Sequence, residues 1–274
     1  MAPETLLTVD SLHKRFGGVQ AVAGASFEVT RGEIYGLIGP NGSGKTTVFN
    51  LLTGFLSPDS GSIVFKDRSI RGLRPHEVAR AGICRTFQAS LNPVEMTVME
   101  NMLLAPQGQT GEGILRAAWQ RARVREEEKA NLERARELLG LVRMEHMSDE
   151  LVRSLSGGQR KLLSLAQALM AGPELILLDE PVAGVNPRLI DDIVDLVLRL
   201  RDEGRATFLV VEHNMGVVRR LCDRISVLDA GDTIASGTPE ETLAREDVLR
   251  AYLGAHRHEG RRRAAKAEPA GEEN

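Results

Sequence analysis

The segment Gly39-Pro40-Asn41-Gly42-Ser43-Gly44-Lys45-Thr46 constrains this chain more than any other stretch. It matches G-x-x-x-x-G-K-[ST], and it follows an aliphatic run at residues 34–38 and precedes a helical pattern at 47–52. Glycines at these positions let the backbone curl so that successive N–H groups face one point, and the helix start adds a partial positive charge. A loop of this kind cradles phosphate. Lys45 reads as the bridge to the β- and γ-phosphates of a nucleotide, and the Thr46 hydroxyl as a ligand of Mg²⁺.

The rest of the sequence agrees with such a loop. Short aliphatic or β-branched runs bounded by Gly and Pro alternate with longer helical patterns, which favours an α/β fold with a substantially parallel sheet. Strands are expected at residues 6–9, 25–29, 34–38, 62–65, 175–178, 206–211 and 225–229. Three of them fall within the first 38 residues with no room for helices between, so that part is expected to be antiparallel and the parallel part to come later. Between Thr97 and Gly140 the spacing turns helical, with Ile114, Leu115, Ala118, Trp119 and Ala122 on one stripe and Leu132, Ala135, Leu138 and Leu139 on another. The run at 121–129, rich in Arg and Glu, reads as a solvated helix face. The last 20 residues, 255–274, lose large apolar side chains and read as a disordered tail.

A strand ending in acids supplies the second half of a nucleotide site. Leu175-Ile176-Leu177-Leu178-Asp179-Glu180 places two carboxylates at the carboxyl end of an aliphatic strand, where ligands of parallel sheets bind. Asp179 is placed to hold Mg²⁺, and Glu180 to polarise an attacking water as a general base. About 20 residues earlier stands Leu155-Ser156-Gly157-Gly158-Gln159, followed by a helical run to Met170. Ser156 with the Gly157 and Gly158 amides at a helix N-terminus makes a second anion site without a lysine.

A phosphate loop, an LSGGQ segment and a strand-end Asp-Glu together resemble the nucleotide-binding subunits of ATP-binding cassette transporters, over roughly residues 5–254. The resemblance implies a phosphate-loop NTPase core of mixed, largely parallel sheet, an N-terminal antiparallel β region and a helical signature subdomain. The core would comprise 5–88 and 172–254, and the helical subdomain 89–171. ATP and Mg²⁺ would be the cofactors. Gly39, Pro40, Asn41, Gly42, Ser43, Gly44, Lys45, Thr46 and Thr47 would hold the nucleotide. Ser156, Gly157, Gly158 and Gln159 would clamp ATP held by a second cassette, identical or paralogous, in a head-to-tail dimer. Phe16 resembles the ring that stacks on adenine, with core packing as its other reading. Gln88 resembles the glutamine that senses Mg²⁺ and the lytic water, and His213, directly after a strand, the switch histidine. Asn186 departs from the pattern: many cassettes carry Asp there, in the loop that crosses to the other protomer.

Finer wording, including Arg85-Thr86-Phe87-Gln88, Val211-Glu212-His213-Asn214 and Ala251-Tyr252-Leu253-Gly254, resembles the cassettes of branched-chain amino-acid uptake systems and their urea and amide relatives. A similar ending occurs in the lipopolysaccharide-export cassette. The uptake resemblance implies transmembrane permease subunits docking beside Gln88 and the stretch from Ala89 to Met96, an indirect solute-binding partner, and a peripheral place on the cytoplasmic face of the inner membrane. A soluble cassette acting on ribosomes or DNA is normally two fused cassettes or carries a long coiled coil. Here one phosphate loop and one LSGGQ occur in 274 residues.

Composition fits that picture. The net charge of −3 gives no global basic field for nucleic acid, although Arg outnumbers Lys 29 to 6. Cys84 and Cys222 allow at most one bridge, which suits a reducing compartment. The sequence shows no secretory signal and no apolar run long enough to span a bilayer.

Overall fold

The computed structural model describes residues 4–86, 93–106 and 121–253. In chain order the elements are β1 (Thr5–Phe16), β2 (Val19–Thr30), β3 (Ile34–Ile38), α1 (Lys45–Leu52), β4 (Ser60–Phe65), β5 (Arg68–Ser69), α2 (Pro75–Ala81), β6 (Ile83–Thr86) and α3 (Val98–Leu103). There follow α4 (Arg121–Leu141), α5 (Gly157–Met170), β7 (Leu175–Asp179), α6 (Pro187–Asp202), β8 (Thr207–Val211), α7 (Met215–Leu221), β9 (Arg224–Asp229), β10 (Asp232–Gly237) and α8 (Pro239–Leu243). A last helix, α9, covers 246–253.

The chain divides into two compact units. The first contains residues up to Arg31, Tyr35–Gly72 and the part from His213 onward. Its antiparallel sheet has the order β2-β1-β4-β5. Alternation buries Leu7, Val9 and Leu12 of β1 against Val22, Ala25, Phe27 and Val29 of β2. Strand β1 continues well beyond the expected residues 6–9 because a bulge around Ser11, at φ +48, carries pairing on through polar residues to Phe16. In the same unit β9 lies between β10 and β3, antiparallel to the first and parallel to the second. This corrects one expectation: β3 is the third early strand, yet Tyr35–Ile38 run parallel to Arg224–Val227. Proximity in sequence did not decide its partner; a fully buried aliphatic strand pairs inside a parallel sheet, whereas half-buried β1 and β2 form the two-faced antiparallel ribbon. Buried Tyr35 stacks on Phe27 at 5.7 Å and bonds Ser226 through its hydroxyl at 2.7 Å.

The second unit contains Gly32–Ile34 and Leu73–Glu212. Strands β6, β7 and β8 are parallel, and every residue of β7 and β8 is buried. Glu33 accepts from the Phe208 amide at 3.0 Å, and the Thr207 hydroxyl accepts from the Gly32 amide at 2.9 Å. Helix α4 buries Ala135, Leu138 and Leu139 as the stripe requires, while 121–129 stay largely exposed. Trp119, with Ile114, Leu115 and Ala118, and the proposed tail lie outside the described residues. Among the described residues no helix is long and apolar enough to cross a membrane.

Candidate functional site

In the first unit, the loop from Gly39 to Gly44 joins buried β3 to α1. Gly39 has φ +150, and a Cβ there would meet the Leu228 carbonyl oxygen at 2.1 Å; Gly44, the N-cap of α1, has φ +102 and a Cβ would meet the Ala21 carbonyl oxygen at 2.4 Å. Neither position has room for a side chain, so the backbone lies directly against β2 and the β9–β10 turn. The Gly231 amide donates to the Ser43 carbonyl at 3.0 Å, which fixes the loop from the other side. Lys45 is 5% exposed, and its Nζ donates to the carbonyl oxygens of Gly39 and Pro40, each at 2.9 Å, and to Ser43 Oγ at 3.3 Å. The ammonium is thus enclosed by the loop it belongs to. Thr46 and Thr47 occupy the first turn of α1, whose N-terminal amides point at the loop.

Phe16 ends β1, and its ring is 46% exposed, which removes core packing as its role. Lys14 Nζ stands 5.7 Å from the ring centroid while bonded to Asp59 at 2.9 Å, an arrangement that steadies an exposed aromatic. His213 is exposed at the start of the unit's last segment. Asn214 beside it caps α7, accepting from the Gly216 and Val217 amides at 3.0 and 3.3 Å. Tyr252, part of the family-like ending, lies on α9. Its hydroxyl is buried, makes no hydrogen bond of standard geometry among the described residues, and lies by the Gly39 amide. Burial pushes that hydroxyl up to about 12, and the amide opposes the rise.

In the second unit Asp179 closes β7 and Glu180 follows it. Asp179 is 5% exposed and accepts from Arg85 Nη2 at 2.6 Å. Glu180 has φ +50, a left-handed backbone that a residue with a side chain rarely takes. Its amide donates to the Val211 carbonyl at 2.9 Å, and Glu212, 3% exposed, accepts from the Val182 amide at 3.1 Å. Lys161 of α5 donates to the Glu180 carbonyl at 2.6 Å. Burial holds the Lys161 ammonium below its ordinary value, against the opposing pull of Glu212, Glu180 and Asp179. Nothing local in the sequence marks Arg85 as the partner of Asp179, or Lys161 as a donor to the Glu180 carbonyl.

Ser156 is the N-cap of α5: its Oγ accepts from the Gln159 amide at 3.3 Å, and Gln159 Oε1 accepts from the Ser156 amide at 2.8 Å. Gly157 has open space where a Cβ would stand, whereas a Cβ on Gly158 would meet Leu189 Cδ2 at 2.2 Å. Gly157 therefore leaves the helix start approachable from outside, and Gly158 lets it pack on α6. Asn186 caps α6, its side chain accepting from the Arg188 amide at 3.0 Å. An N-cap is served as well by Asn as by Asp, so the departure at this position keeps the local structure. Gln88 and Ala89 lie outside the described residues.

The first unit thus carries the glycine loop that the sequence singled out, and the second the strand-end acids. The ABC transporter family profile matches residues 22–183. The chain is 40% identical over 251 residues to the high-affinity branched-chain amino acid transport ATP-binding protein LivG of Salmonella typhimurium, spanning 92% of this chain and 98% of that protein. BraF of Pseudomonas aeruginosa, of the same description, is 39% identical over 249 residues, spanning 91% and 98%. A crystal structure of a nucleotide-free ATP-binding cassette from an ABC transporter matches with TM-score 0.77 at 35% identity, covering 90% of this chain and 98% of that one. The ADP conformation of an ATP-binding cassette matches with TM-score 0.77 at 36% identity, covering 91% and 99%. A family profile matching more than half of the chain and a relative 40% identical over nearly its whole length show that the chain belongs to the ABC transporter family and is one of its ATP-hydrolysing cassettes.

Proposed function

We propose that this cassette powers a membrane importer of branched-chain amino acids or related small amino acids and amides. The observation that carries the reading is the enclosed Lys45 ammonium in a loop with no room for a side chain at Gly39 or Gly44, in a chain 40% identical to a branched-chain amino acid transport ATP-binding protein. Phosphate oxygens of ATP replace the Gly39 and Pro40 carbonyls as partners of Lys45, while the α1 amides and the Gly39–Thr47 backbone take the remaining phosphate charge. Phe16 stacks on adenine, which its exposed ring permits without discriminating strongly among bases.

Glu180 accepts the proton of the water that attacks the γ-phosphorus; the β–γ bridging oxygen leaves with ADP. His213 orients that water. As the family resemblance implies, Mg²⁺ would take the Thr46 hydroxyl and the Asp179 carboxylate, each a hard oxygen donor, and would supply charge neutralisation. Asp179 must exchange its Arg85 partner to take that role. Ser156, Gly157, Gly158 and Gln159 close on the nucleotide of a second cassette, so that ATP binding shuts a head-to-tail dimer and hydrolysis reopens it. The chain works peripherally at the cytoplasmic membrane face, against permease subunits fed by a solute-binding protein.

The test has two arms. Glu180→Gln is expected to bind ATP and lose nearly all turnover; undiminished steady-state hydrolysis removes Glu180 as the base. Reconstituted with its membrane and solute-binding partners, the wild-type chain is expected to hydrolyse ATP faster on addition of leucine, isoleucine or valine, and a rate unmoved by these solutes removes the substrate class.

A further inference from the structure

Lys161 has a place that neither the phosphate chemistry nor the packing of α5 requires. It stands one turn into that helix, and its Nζ donates to two backbone carbonyls on a different segment, Glu180 at 2.6 Å and Ala183 at 2.7 Å. Both distances are those of charge-assisted hydrogen bonds. The two carbonyls bracket the turn after β7, which closes on itself through Ala183 N–H to Glu180 O and Val185 N–H to Val182 O, each at 3.2 Å. The turn begins with the left-handed backbone of Glu180 at φ +50. A residue with a Cβ holds that conformation only where its surroundings over-determine it.

Three anchors do so here. The Val211 carbonyl takes the Glu180 amide, the buried Glu212 carboxylate takes the Val182 amide, and Lys161 takes the two carbonyls. The first two come from the end of β8 and its next residue, inside the same sheet. Of these three, Lys161 comes from a helix, one that follows the N-cap Ser156 and begins with Gly157 and Gly158. Burial holds the ammonium below its ordinary value, and the negative charges of Glu212, Glu180 and Asp179 act against that fall.

We propose that Lys161 is a positioning residue for Glu180: it fixes the left-handed turn that aims the carboxylate, and ties that aim to the seating of the signature helix. The inference rests on the reading of Glu180 as the base. A neutral side chain of similar length reaches the turn but cannot satisfy both carbonyls, so the Glu180 backbone relaxes and its carboxylate loses its fixed direction. An arginine offers several donors and retains the charge, so it keeps the clamp.

The test compares Lys161→Met, Lys161→Arg, Glu180→Gln and the double variant Lys161→Met with Glu180→Gln, each as the full chain with ATP and Mg²⁺. Lys161→Met is expected to lower kcat at least tenfold while KM and ATP affinity stay within twofold, and Lys161→Arg to recover at least half of the rate. The double variant is expected to be no slower than Glu180→Gln alone, because the lysine acts through that carboxylate. Lys161→Met hydrolysing at the wild-type rate overturns the proposal. A loss that Lys161→Arg leaves unrepaired, a loss of ATP affinity, or a further slowing in the Glu180→Gln background does the same. If Lys161→Met does not fold, Lys161→Gln, a shorter side chain whose neutral amide keeps two N–H donors but no charge, is expected to fall between wild type and a tenfold loss, and full activity in it is the contrary result. An active Glu180→Gln variant strikes at the role of the glutamate itself, whereas an inactive one beside an active Lys161→Met strikes only at the lysine.

Discussion

Arg85 and Asp179 form an ion pair of 2.6 Å, with side chains only 8% and 3% exposed. Removing one member leaves a buried charge without its counter-ion, which costs about 3 to 5 kcal/mol. Arg85→Met is therefore expected to lower the unfolding free energy by that amount in chemical denaturation. Arg85→Met with Asp179→Asn together are expected to cost less than the sum of the two single changes. Additive losses would show that the pair contributes nothing as a pair.

The Lys45 ammonium donates to the Gly39 and Pro40 carbonyls of the proposed phosphate loop, so its loss is expected chiefly in binding. Charge-assisted bonds of roughly 1.5 to 3 kcal/mol are at stake, about 10- to 100-fold in affinity. Titration of Lys45→Ala with a fluorescent ATP analogue is expected to show a Kd raised within that range. Equal affinity in the two proteins contradicts the proposed phosphate contact.

Two loop glycines separate backbone strain from overlap. Gly42 has φ +81 with nothing within 4 Å of a built Cβ, whereas Gly44 has φ +102 and the Ala21 carbonyl oxygen at 2.4 Å. Gly42→Ala carries the left-handed penalty alone, about 1 to 2 kcal/mol. Gly44→Ala carries it together with a backbone collision and is expected to destabilise more, read as a larger fall in Tm. Equal falls would mean that the loop yields at Ala21.

Burial pushes the Cys84 thiol up to about 11, and the Arg85 amide opposes the rise. In the unfolded chain the same thiol ionises near its ordinary value of about 8.5. The folded state therefore holds the proton longer, and the stability tied to it is present below about pH 8.5 and falls away as pH rises toward 11. At pH 8 iodoacetamide is expected to alkylate Cys84 slowly in the native protein and quickly in guanidinium, as followed by peptide mass spectrometry. Equal rates would place the thiolate in solvent.

What the sequence displayed were features whose meaning is local. The glycine spacing of the phosphate loop, the aliphatic run ending at Asp179 and the LSGGQ segment at 155–159 each lie within a few residues. What it concealed depends on distant pairing. Arg85 meets Asp179 across 94 residues of sequence, and β6, which carries Arg85, is four residues long and only partly apolar. Strand β10 was also missed, because Thr233, Ser236 and Gly237 break up its apolar pattern. Lys161 offered a different obstacle: a lysine on an amphipathic helix normally reads as solvated, and only the position of the Glu180 carbonyl shows otherwise.

The buried Tyr252 hydroxyl beside the Gly39 amide bears on how this protein can be cut and tagged. Helix α9 is the last described element, and its tyrosine backs the phosphate loop. A shortened chain ending before residue 252 is then no neutral control in a nucleotide assay, even if it folds. Affinity tags belong beyond residue 253, at a distance that leaves that ring in place.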